Sequence, residues 1–137
     1  MRGAFVDSSF WIALILAPDD RHAQATRLFE SPVAHGQLVT SNHVRGETWT
    51  FLRARHGHRV ATASLDRLDR TRRLRTLFCS EALERDALRW LRRHDERPYS
   101  FVDATSFALM RSLKLRQARA FDGDFAAAGF VELHAGP

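Results

Sequence analysis

Short apolar runs alternate with longer stretches of helical period along the whole chain, and this alternation limits the fold more than any other feature. Residues 3–6 read as a strand. Residues 8–16 read as a helix capped by Ser8 or Ser9, and a second helix starts at Asp19 or Asp20 and runs through residue 29. Residues 37–40 have strand character. Ser41 and Asn42 open a helix over residues 43–55, Gly57 ends it, and an amphipathic helix follows over residues 59–73. Residues 74–79 form the third strand. Leu83, Ala87, Leu88 and Leu91 give residues 81–93 helical spacing, Pro98 breaks the pattern, and Ser100 caps a helix over residues 101–113. Residues 118–121 and 131–134 are the last strands, with a helical turn over residues 125–128. The expected class is therefore α/β, with a mostly parallel sheet and helices on both faces.

With 137 residues, 45% hydrophobic and 27% charged, the chain suits one domain spanning residues 1–137. The apolar run over residues 10–17 is too short for a bilayer, and Asp7 stands where a signal peptide would carry positive charge, so a cytoplasmic protein with no membrane partner is expected. The single cysteine, Cys79, has no internal partner for a disulfide and suits a reducing compartment. A net charge of +5 favours polyanionic partners such as nucleic acid. The excess concentrates in residues 51–76, where eight arginines face Asp66 and Asp69. Such a run serves equally as a solvated helical face or, through Arg70, Arg72 and Arg73, as a grip on an RNA backbone.

Against this basic background the acids stand out by position. Asp7 directly follows the first strand and Asp122 the expected fourth, and the carboxyl ends of parallel strands are where α/β sheets bind ligands. Glu47 falls between Val44 and Phe51 at helical spacing, and Asp103 shares a stripe with Phe107 and Met110, so both point inward, at a cost unless paired. Each has an ordinary explanation. Asp7 can cap a helix, Asp103 can favour a helix dipole, Glu47 can pair with Arg45 or Arg111, and Asp122 and Asp124 can serve a turn. Four elements that each offer an inward acid are better explained together. Clustered carboxylates repel, a divalent cation resolves the conflict, and an all-oxygen ligand set selects Mg²⁺ or Mn²⁺. Phosphodiester hydrolysis reconciles an acidic pocket with a basic surface, since arginines can hold the backbone while the metal site handles the reacting phosphate.

The stretches FVDSSFWIAL (5–14), SNHVRGETW (41–49), YSFVDATSFALM (99–110) and AFDGDFAAAGF (120–130) resemble the four acidic motifs of PIN-domain ribonucleases, in particular the VapC-type toxins of bacterial toxin-antitoxin pairs. The resemblance covers essentially the whole chain. It implies a three-layer α/β/α domain with a central parallel sheet, and Asp7, Glu47, Asp103 and Asp122 as a catalytic, metal-binding quartet with Asp124 accessory. It also implies Mg²⁺- or Mn²⁺-dependent endoribonuclease activity, a homodimer and a cognate antitoxin protein. The family often carries threonine where this chain has Ala120, which removes a supporting hydroxyl without touching the acids.

Ser9, Thr105 and Ser106 are candidates to orient waters or carboxylates, although hydroxyls near helix starts are commonly caps. His56 and His58 lack further ligands for zinc, and His43, one turn before Glu47, suits either the pocket or the surface. Trp11, Trp49 and Trp90 lie at apolar helical spacing and suit core or interface positions, with base stacking an alternative for one of them. Two other classes compete. Asp-Gly-Asp at 122–124 is similar to the nucleophile pattern of small-molecule phosphatases, but too little chain follows it. A non-catalytic RNA-binding domain would not need all four acids.

Overall fold

The computed structural model describes residues 3–30 and 37–133. Five parallel strands, β1 (Gly3–Val6), β2 (Gln37–Ser41), β3 (Leu74–Leu77), β4 (Gln117–Arg119) and β5 (Val131–Glu132), form one sheet in the order β3-β2-β1-β4-β5. Among the described residues seven helices flank it: α1 (Ser8–Ile15), α2 (His22–Glu30), α3 (Asn42–His56), α4 (His58–Arg70), α5 (Glu81–Arg93), α6 (Phe101–Leu113) and α7 (Asp124–Ala127). The expected three-layer α/β/α arrangement is the one observed.

β1 occupies the centre because it is apolar on both faces: Ala4, Phe5 and Val6 are all buried, as a strand covered by helices on either side requires. Phe5 stacks on Phe125, which meets Phe107 edge-on, so the central strand, α6 and α7 share one aromatic cluster. On α1, Phe10, Trp11 and Leu14 are buried, and Phe29 of α2 closes edge-on over Trp11.

Where β1 begins it runs tight against β2. Gly3 has φ +138°, and a Cβ there would collide with the Gln37 carbonyl. Gly3→Ala is therefore expected to cost at least about 1–3 kcal/mol, as backbone strain of this kind does, measured as a lower urea midpoint.

Several element limits differ from the sequence expectation. β3 stops at Leu77 and β4 at Arg119, each two residues early, because side chains take the N–H groups beyond: Cys79 donates to Asn42 Oδ1 and Phe121 to Ser9 Oγ instead of pairing in the sheet. α4 ends at Arg70, and Thr71 to Arg73 make the turn into β3, with the Leu74 N–H donating to the Thr71 carbonyl. α7 starts at Asp124, one residue early, after Gly123 turns the chain with φ 83°. The expected last strand ends at Glu132; His134 lies outside the described residues. Among the described residues no helix is long and apolar enough to cross a membrane.

Candidate metal centre

The parallel topology gathers the carboxyl ends of β1 and β4 side by side, and the acids follow from that. Asp7 leaves β1 and caps α1: its Oδ2 accepts from the Ser9 N–H at 3.2 Å and from the Ser9 hydroxyl at 2.8 Å. Ser9 Oγ in turn accepts from the Phe121 N–H at 3.1 Å. One hydroxyl thus ties the chain after β1 to the chain after β4 and fixes how the Asp7 carboxylate is turned. The other oxygen, Oδ1, is buried without a hydrogen-bond partner among the described residues.

Asp103 is buried in the first turn of α6 and forms a reciprocal capping box with Ser100, its N–H donating to Ser100 Oγ and its Oδ2 accepting from the Ser100 N–H, both at 2.9 Å. The capping role and the inward acid are thus one residue with two duties. Asp122 lies three residues beyond β4, at the surface, and its Oδ1 accepts from the Asp124 N–H at 3.1 Å. Asp103, Asp122 and Asp124 each offer a carboxylate oxygen within 4.8 Å of the others.

The electrostatics bear the mark of this crowding. Burial, then the charge of Asp122 and more weakly that of Asp103, push the Asp7 carboxyl from an ordinary 3.8 up to about 8, against the lowering effect of the Ser9 bonds. Burial, followed by the charges of Asp124 and Asp122, raises Asp103 to about 6. Asp122 is raised by loss of water around its carboxyl and by the charges of Asp124 and Glu132. An orphaned buried oxygen, carboxyls that resist ionisation and an all-oxygen donor set together fit a hard divalent cation.

Glu47 stands apart from the three clustered acids. The buried stripe of α3 is Val44, Thr48 and Leu52, so Glu47 lies half-buried on its flank, where it accepts a hydrogen bond from the Ser8 hydroxyl. Ser8 and Ser9 thus address different acids, Glu47 and Asp7. Arg45 pairs with Asp69 instead of Glu47.

Ser9 acts on a carboxylate as expected. Thr105 and Ser106 do not: both hydroxyls donate to the Val102 carbonyl, at 2.9 and 2.8 Å, because each lies within one helical turn of it. The arginine triple also sits elsewhere than an RNA grip at the acids would need. Arg72 and Arg73 enter β3 at the amino edge of a parallel sheet, opposite the carboxylates. Arg73 donates to the Phe29 carbonyl with its guanidinium 4.8 Å from that ring, while Arg70 ends α4 exposed.

Two contributors escaped the sequence reading. Arg97 donates from Nε to Asp124 Oδ1 at 2.9 Å and from Nη2 to the Asp122 carbonyl at 3.4 Å. Glu132, on β5, accepts from the Gly123 and Ala126 N–H groups and so shapes the loop that carries Asp122. The one available signal for Arg97 was a cation in the irregular stretch just before the Ser100 cap. The aromatic rings fell as expected: Trp11 is core, Trp90 packs on His94, Tyr99 and Phe107, and Trp49 meets His58 edge-on.

The model of the PIN domain family matches residues 4–131. The protein described as 23S rRNA-specific endonuclease VapC20, from two strains of Mycobacterium tuberculosis, is 55% identical over 132 residues, covering 94% of this chain and 96% of that one. The crystal structure of Mycobacterium tuberculosis VapC20, described as a sarcin-ricin loop cleaving toxin, superposes with a TM-score of 0.90 at 53% identity, covering 97% of this chain and all of the other.

Proposed function

The chain belongs to the PIN domain family, and from that membership we propose that it is an endoribonuclease toxin whose substrate is 23S ribosomal RNA, cut in the sarcin-ricin loop as its relatives' descriptions state for them. The observation that carries the reading is Asp7, a buried carboxylate with one oxygen fixed by Ser9 and the other without a partner among the described residues, under the charges of Asp122 and Asp103.

In this reading residues 1–137 act as one nuclease domain. Asp7, Asp103 and Asp122, with Glu47 from α3 and Asp124 as an accessory, hold Mg²⁺ or Mn²⁺, which when bound supplies the Lewis acidity that activates water and neutralises charge at phosphorus. The chain's own residues prepare that site. Ser9 holds the Asp7 carboxylate at one angle and ties it to the loop after β4. Ser100 holds one Asp103 oxygen, leaving the other to face the cluster. Arg97 offsets the charge of Asp124 within the cluster and so lowers the repulsion around Asp122. Hydrolysis then needs neither a serine nor a histidine nucleophile. A cognate antitoxin that covers the acids and a homodimer complete the proposal, with action in the cytoplasm, where the substrate is.

The test is direct. The purified protein, incubated with a synthetic hairpin carrying the sarcin-ricin loop sequence, should cut it once in Mg²⁺ or Mn²⁺ and not in excess EDTA. An intact hairpin under every divalent ion would overturn the reading.

A further inference from the structure

Beside the acids a hollow of about 580 Å³ runs along α3, lined by Asn42, His43, Gly46, Glu47, Thr50 and Phe51, with Val102 of α6 as the far wall. The six α3 residues form two adjacent rows, Asn42-Gly46-Thr50 and His43-Glu47-Phe51, each with its members about one helical turn apart, so they share one helix face. Gly46 is the anomaly. It sits inside a helix of 15 residues, where glycine is the least favourable ordinary residue. Packing does not ask for it: among the described residues a Cβ at that position meets no atom within 4 Å. A helical glycine without a packing or backbone reason, on the floor of a hollow that one catalytic acid also lines, points to an occupant that needs the space.

We propose that this hollow receives an unstacked base of the RNA substrate next to the phosphodiester held at the carboxylates, with Gly46 left bare to admit it; this rests on the ribonuclease reading above. The lining matches a base better than a peptide side chain. The Phe51 ring offers a flat apolar surface backed by the Arg55 guanidinium, 4.7 Å from its centroid, the arrangement on which single-stranded nucleic acid stacks. The Asn42 Oδ1 is taken by the Cys79 N–H, which turns the amide N–H₂ outward as a donor to a base edge, and the Thr50 hydroxyl stands two turns along the same row. At the rim, His43 contacts Glu84 at 2.9 Å and Phe101 edge-on. The last turn of α3 carries Arg53 and Arg55, a cationic path for the backbone leading away from the acids.

The test uses Gly46→Ala and Gly46→Leu in the full chain, assayed on the sarcin-ricin hairpin. Both variants gain helix propensity, so their melting temperatures should equal or exceed wild type, and the Mn²⁺-dependent rise in melting temperature should persist. kcat/KM should fall by roughly 10- to 100-fold for leucine, the worth of one stacked base, and less for alanine, with the loss mainly in KM. If Gly46→Leu cuts the hairpin as wild type does, the proposal is wrong. If it cuts normally but no longer binds its antitoxin, the hollow belongs to a protein partner and the proposal is equally overturned. Should leucine unfold the chain, the alanine variant alone decides by the same criteria. A wild type that leaves the hairpin uncut fails at the earlier step and takes this inference with it.

Discussion

Replacing Asp7 with asparagine should abolish RNA cleavage and, at the same time, make the metal-free protein harder to melt. The two effects have one cause. The carboxyl is buried, one oxygen has no partner and two neighbouring acids oppose its charge, so the folded chain carries it at a cost without a cation. Asparagine keeps the shape and an acceptor for the Ser9 bonds while shedding the charge. Cleavage should drop by at least about 10³-fold, equivalent to roughly 4 kcal/mol of lost transition-state stabilisation. The metal-free melting temperature at pH 8 should rise by at least about 3 °C, the shift that one kcal/mol gives a domain of this size. A variant that melts with wild type in EDTA, or retains wild-type cleavage, would remove Asp7 from the centre of the site.

The second expectation concerns pH. Asp7 and Asp103 have folded-state values of about 8 and about 6 against an ordinary 3.8. Between pH 4 and 8 the native state therefore binds more protons than the unfolded chain, and linkage makes stability fall as pH rises. The stabilisation is complete below about pH 4, fades first through the Asp103 range and is gone once pH passes the value of Asp7. In EDTA, the melting temperature attributable to these groups should decline steadily from pH 5 to pH 8.5, and Asp7→Asn should remove most of the decline above pH 7. Saturating Mn²⁺ should reverse the slope, because a cation binds the deprotonated carboxylates and its affinity grows as protons leave. A metal-free protein whose stability is flat over this range, or whose Mn²⁺ response is independent of pH, would contradict the coupling of these carboxyls.

The order of strands and helices was legible because most elements carry their own period, and two caps read from the sequence, Ser41 and Ser100, hold the N-terminal N–H groups that a cap should hold; Ser80 does the same for α5. Asp7, Asp103 and Asp122 were legible because an acid after a parallel strand or on an apolar stripe has few uses. Ends were less so. Whether Phe78 and Cys79 extend β3 depends on what lies beside them, and Asn42 of α3 takes the Cys79 N–H that a longer strand would have used. Arg97 was hidden for a similar reason. Its partner Asp124 is remote in sequence and lies across a loop, and no period connects them. The arginine run left two readings open because charge density along a chain says nothing about which end of the sheet it faces. Parallel strands place Arg72 and Arg73 at the edge opposite the acids.

The strand order has a consequence for synthesis. β1 is made first yet lies in the middle of the sheet, and one of its two neighbours is β4, with Ala4 set against Gln117 and Val6 against Arg119. Half of its edge stays unpaired until the last quarter of the chain has emerged, and pairing across so long a loop is slow and comes late. Asp7 meets Asp122 only when that pairing closes. A nascent chain that stops before β4 thus carries Asp7, Glu47 and Asp103 without Asp122, and on the proposed reading such a truncated product should not cleave RNA.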